Sequence, residues 1–147
     1  QSLKGSGKKA SFLTTSEAYP NIFNRWGKIT ADNITFEPRS DEDSWGIEDP
    51  SLTFDKKNQI YYMFYTATNS KDTLLSLATT NNPYNHSSWR RYGPVFPRYP
   101  RSKGGSLLIR EKGPHYLYWG DNEIRVALSD NLTFWQDIGE VLIKPRP

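Results

Sequence analysis

The chain has 147 residues, 35% of them apolar and 24% charged, with a net charge of +3 at neutral pH. That is the size and composition of one globular domain; it excludes a disordered segment, and no apolar run approaches the roughly 20 residues of a membrane-spanning helix. Lys and Arg are spread along the chain, which excludes a nucleic-acid footprint, and the absence of cysteine excludes a disulfide framework and thiolate metal sites.

The first residues, Gln1 to Lys9, are small and polar and show no apolar signal core. The expectation is that any targeting peptide was removed or never existed. Two short strand-like pieces follow, Leu13-Thr14-Thr15 and Trp26-Gly27-Lys28-Ile29, and residues 30–45 read as an irregular connection. Short aromatic and β-branched runs then begin, bounded by Asx, Gly and Pro clusters. Ser51-Leu52-Thr53-Phe54 and Ile60-Tyr61-Tyr62-Met63-Phe64-Tyr65 flank a hairpin turn at Asp55-Lys56-Lys57-Asn58-Gln59. Leu74 to Thr79 supplies a third strand and Trp89 to Phe96 a fourth.

The pattern repeats. Ser106-Leu107-Leu108-Ile109 matches Ser51 onward, Tyr116 to Trp119 matches Tyr62 to Tyr65, and Ile124 to Ala127 matches Leu75 to Ala78. Trp135 matches Trp89. Four strands per unit at a period of roughly 50 residues is the signature of β-propeller blades. The fold class expected is all-β, a partial propeller of four-stranded antiparallel blades. Residues 1–45 read as the outer part of one blade plus a connection, 46–97 as a second blade and 98–147 as a third. Closed propellers use four or more blades, so further blades are expected from the rest of a longer chain or from partner chains.

The chemistry concentrates at Glu48-Asp49-Pro50. Asp49 precedes the innermost strand of its blade, so its carboxylate should face the channel mouth, with Pro50 biasing it toward extended backbone. Two roles fit. Asp49 caps strand-end amides, or it is held partly desolvated beside Glu48 with a raised pKa and serves as a general acid. The corresponding position of the next blade is Arg101-Ser102-Lys103-Gly104-Gly105-Ser106, where the glycines allow close backbone approach and Lys103 could hold an anion or a sugar hydroxyl, the alternative being a flexible basic loop. Arg90 and Arg91 lie near the outer strand and face opposite ways. Trp45, Tyr65 and Trp119 are candidates to stack on sugar rings, while Trp89, Trp135, Tyr62 and Tyr116 suit the core between blades. His86 and His115 are isolated, so no metal is expected, and no phosphate loop or nucleophile elbow is present; no cofactor is called for. Sequons at Asn33, Asn85 and Asn131 suggest glycosylation and an extracellular, secreted protein.

Gly46-Ile47-Glu48-Asp49-Pro50 followed by Ile60 to Ala67 resembles a motif of glycoside hydrolase family 130, five-bladed propellers acting on β-mannosides and related glycosides. Ser102-Lys103-Gly104-Gly105-Ser106-Leu107, Tyr118-Trp119-Gly120-Asp121 and Ile124 to Trp135 resemble later motifs of that family, in the same order. The resemblance covers roughly Trp45 to Pro147. It implies that Asp49 is the proton donor, acting through a substrate hydroxyl, with Glu48 tuning it. Lys103, and Arg90 or Arg91, would be cations near the anomeric centre. Trp45, Trp119 and Asp121 are further substrate-binding candidates. Ser51 stands where phosphorylases of the family usually carry Arg, which favours a hydrolase. The alternatives are a non-catalytic glycan- or protein-binding propeller module, and an arabinanase-like or invertase-like glycosidase.

Overall fold

A computed structural model describes residues 3–5, 8–10, 13–14, 34–39 and 41–146. The described chain is built of strands: β1 (Leu3–Gly5), β2 (Lys8–Ala10), β3 (Leu13–Thr14), β4 (Ile34–Phe36), β5 (Gly46–Asp55), β6 (Ile60–Thr68), β7 (Thr73–Thr80), β8 (Arg90–Pro94), β9 (Gly105–Leu108), β10 (His115–Trp119), β11 (Ile124–Ser129) and β12 (Gln136–Ile143). Among the described residues a 3-10 turn, His86–Ser88, precedes β8 and is capped by the Asn85 side chain. No helix among the described residues is long and apolar enough to cross a membrane.

Two four-stranded antiparallel meanders dominate, in the orders β5-β6-β7-β8 and β9-β10-β11-β12. They are the two blades expected from the repeat. Side-chain alternation along β6 divides the core between two layers. Tyr62 and Phe64 point to one face, where with Leu75 and Leu77 they meet Leu107, Leu117, Trp119, Ala127 and Trp135 of the second meander. Met63, Tyr65 and Ala67 point to the other face, where they meet Phe36 of β4. Each fully buried side chain of this size contributes about 1.5–3 kcal/mol.

The tryptophans of the repeat do equivalent work. Trp89 stands edge-on to Phe36 at 5.2 Å and 69°, and Trp135 stands edge-on to Phe64 at 5.7 Å and 76°. In each case the indole joins its own meander to the sheet before it. Tyr65 is fully buried in the same layer and offers no face to a sugar, contrary to the stacking role open to it in the sequence.

The stretch read as an irregular connection contains β4, which pairs with β3. The reason is Phe36, buried between Tyr65 and Trp89. Trp26 to Ile29 lies outside the described residues.

Candidate active site

The Glu48-Asp49-Pro50 segment lies inside β5 rather than before it. Glu48 pairs with Thr66 and Ser51 with Phe64, so Asp49 and Pro50 both stand opposite the single residue Tyr65. This is a β-bulge. Asp49 has φ +50, the left-handed region, so the extended backbone expected of a residue before proline is overturned. The extra residue has to be absorbed somewhere, and a left-handed residue at a bulge does so while turning its side chain out of the ladder. Proline at the next position has no N–H to lose from the ladder.

Asp49 and Glu48 are both exposed, so the partial desolvation expected of the pair is not found. The Asp49 carboxylate accepts no hydrogen bond and forms no ion pair among the described residues, which removes the capping role. It lines an open cleft of about 310 Å³ with Gly104, Gly105, Ser106, Tyr118, Trp119, Gly120 and Ile124. The start of β5, the start of β9 and the β10–β11 turn thus converge on one side of the two meanders.

Backbone contacts hold the cleft wall. The Gly120 N–H donates to the Lys103 carbonyl at 2.9 Å, and the Lys103 ammonium pairs with Asp121 at 3.1 Å. Gly120 has φ +139, and a Cβ there would stand 1.8 Å from the Glu123 carbonyl oxygen, so no other residue fits. Lys103 and Asp121 are therefore brought together, as a half-exposed pair at the rim.

Other candidates lie elsewhere. Trp119 reaches the cleft but is only 4% exposed, seated on Phe96 at 4.4 Å, so it is mainly a core residue and not an open stacking platform. Trp45 is 42% exposed in the turn before β5 and does not line the cleft. Arg90 is exposed on β8 with its guanidinium over Tyr92. Arg91 covers the Phe36 ring at 3.8 Å, pairs with the fully buried Asp43 and donates to the Glu37 carbonyl. Neither arginine reaches the cleft: β8 is the outermost strand, and the cleft forms at the first strands. Asp43, whose role the sequence did not reveal, also accepts from the Arg39 N–H at 2.9 Å. It lies among Asp41, Glu42 and Asp43, three acids that pattern alone does not distinguish.

Asn131 is exposed, and its side-chain oxygen accepts from the Thr133 and Phe134 amides; Asn85 is exposed at the start of the 3-10 turn; Asn33 lies outside the described residues. No group of three or more His, Asp or Glu suited to a metal occurs among the described residues.

The family model for glycoside hydrolase family 130, described as β-1,4-mannooligosaccharide phosphorylase, matches residues 18–147. The chain belongs to this family.

Solved structures agree with the family 130 fold. A proposed glycoside hydrolase of Parabacteroides distasonis superposes with a TM-score of 0.76 at 24% identity, over 98% of this chain and 47% of its own. A proposed glycosidase of Bacteroides thetaiotaomicron gives 0.75 at 26% identity, over 97% and 46%. A third protein gives 0.62 at 26% identity, over 72% and 35%; it comes from the GH130 family of mannoside phosphorylases, which contains glycoside hydrolases that target β-1,2 mannosidic linkages in Candida mannan. The family 130 chain described here spans less than half the length of each of these proteins. No curated protein matches it.

Proposed function

We propose that the protein carrying this chain is a glycosidase acting on β-mannosides or related glycosides, with Asp49 as its general acid. The observation that carries this reading is the Asp49 backbone. A non-glycine residue in the left-handed region costs of order 1–3 kcal/mol, and such strain persists where the surrounding structure enforces it, most often at functional sites. Here it presents a carboxylate with no structural bond to a cleft between two blades.

Hydrolysis is favoured over phosphorolysis. Ser51 follows the proline in place of arginine. The Lys103 ammonium is paired with Asp121 at 3.1 Å, which leaves less of its charge for a phosphate. We expect the groups that complete the site, including the one that activates water, from other blades; the solved structures are about twice as long as this chain, which is compatible with that. The sequons support an exported protein, which the intact mass of the natural product would test.

The test is Asp49→Asn in the complete protein, assayed on β-mannobiose. Turnover should fall by at least about a thousandfold while binding persists, since acid catalysis together with the lost charge complementarity is worth that much. An unchanged rate refutes the role of Asp49. Release of sugar that depends on inorganic phosphate refutes hydrolysis.

A further inference from the structure

The loop from Pro97 to Lys103, which joins β8 to β9, carries Arg98, Tyr99, Arg101 and Lys103, and no acidic residue occurs between Val95 and Ser106. Its ends are anchored. Phe96 is buried against Trp119, and the Ser102 hydroxyl is buried and accepts from the Leu75 N–H at 3.0 Å. Within the loop, the Tyr99 N–H donates to the Phe96 carbonyl and the Ser102 N–H to the Tyr99 carbonyl. Pro97 and Pro100 restrict the backbone further, and Arg101 is held at φ +73. This is a preorganised projection and not a flexible basic loop.

The projection borders the cleft. Tyr99 is 44% exposed and stands edge-on to the cleft residue Trp119 at 5.5 Å, and Gly104 continues directly into the cleft wall. Its three cations differ in one respect. Lys103 is neutralised by Asp121, whereas the exposed Arg98 and Arg101 guanidiniums have no ion-pair partner among the described residues. Positive charge is thus absent from the wall beside Asp49 and present at the outer rim, flanking an exposed aromatic ring. An arginine fork matches the paired oxygens of a phosphate ester or a carboxylate, and a tyrosine face accepts the apolar face of a pyranose.

We infer that Arg98, Tyr99 and Arg101 form a subsite for an anionic sugar, so that the substrate is an acidic glycan with its neutral unit at Asp49 and its charged unit on this loop. The inference rests on the glycosidase reading and adds the substrate class. Phosphate esters and uronates share the chemistry recognised, and free phosphate is set apart by having no ring for Tyr99.

The experiment uses the complete protein carrying Asp49→Asn, so that ligands bind without being cleaved. Calorimetry compares β-mannobiose, the same disaccharide bearing a 6-phosphate on its reducing unit, β-mannosyl glucuronic acid, and inorganic phosphate. At least one acidic disaccharide should bind roughly tenfold tighter than the neutral one, and that preference should shrink in about 0.5 M salt. Arg98→Ala with Arg101→Ala should bring the two affinities within about twofold, while Lys103→Ala should leave the preference in place. Circular dichroism checks that the variants fold; both arginines are exposed. Equal affinities for neutral and acidic sugars overturn the inference, as does a preference that survives the double substitution or binding of inorganic phosphate as tight as that of the acidic disaccharides. Turnover of neutral β-mannobiose by an enzyme with intact Asp49 is read separately, so the subsite can fail while the role of Asp49 stands.

Discussion

Gly105 lies so close to Phe64 that a Cβ on it would stand 2.7 Å from the phenylalanine Cβ and 3.0 Å from Leu75 Cδ1. The first strand of the second blade is therefore seated directly on the middle of the first blade, and this contact sets the spacing across which the cleft opens. Gly105→Ala should force the blades apart. Overpacking of this kind costs about 1–3 kcal/mol, and a urea titration of the complete protein should show it as a lower midpoint. Because Gly105 also lines the cleft, kcat/KM should fall as well. A change below about 0.5 kcal/mol would mean that the interface adjusts freely and does not set the cleft.

Arg91 and Asp43 should prove structural. The Asp43 side chain is 0% and the Arg91 side chain 18% exposed. Removing one partner of a buried pair strands the other, at a cost of about 3–5 kcal/mol. Asp43→Ala and Arg91→Ala should each destabilise on that scale. The double variant should lose much less than the sum, because no charge is then stranded. Additive losses in a double-mutant cycle would show that the two groups do not act as a pair.

Much of this arrangement was legible in the sequence. Aromatic and β-branched runs separated by Asx, Gly and Pro clusters mark β5 to β12, and the spacing of Trp89 and Trp135 marks the repeat. The convergence of Glu48-Asp49-Pro50 and Lys103-Gly104-Gly105-Ser106 followed from their equivalent places in that repeat. The Asp49 backbone did not follow, because the local rule for a residue before proline points to extended geometry and only the β5–β6 register imposes the bulge. Nor did the burial of Trp119 or the engagement of Arg91: both depend on partners distant in sequence, Phe96 for one and Phe36 and Asp43 for the other.

Acid should loosen the β5–β6 hairpin through Asp55. Burial pushes its carboxyl upward, but the side-chain amide of Asn58 at 2.7 Å and the backbone amides of Asn58 and Lys57 together hold it below its ordinary value of 3.8. A carboxyl lowered in the folded state stabilises fully above its unfolded value. That stability is lost as pH falls through the lower, folded value. Asp55→Asn should therefore be less stable at neutral pH, by about 1–2 kcal/mol for the weakened hydrogen bonds, and its stability should vary less with pH below about 4. Thermal melts from neutral to strongly acidic pH give both quantities. Parallel pH profiles for the two proteins would remove Asp55 from the account.

Asp49 should be a residue at which stability and activity oppose one another. Its left-handed backbone at the bulge is one that glycine adopts without a Cβ penalty, and its side chain makes no bond that stabilises the fold among the described residues. Asp49→Gly should therefore leave the complete protein as stable or up to about 1 kcal/mol more stable, after the added freedom of glycine in the unfolded chain is counted. Turnover should be abolished. Asp49→Ala keeps a Cβ in the left-handed region without the local tolerance of Asp or Asn, and should be less stable than the glycine variant by about 1 kcal/mol. Asp49→Asn preserves shape and backbone tolerance, so its loss of rate isolates the carboxyl group. The ordering in a denaturant titration, glycine at or above wild type and alanine below it, is what strain held at the bulge requires. A glycine variant well below wild type would mean that the Asp49 side chain supports the fold.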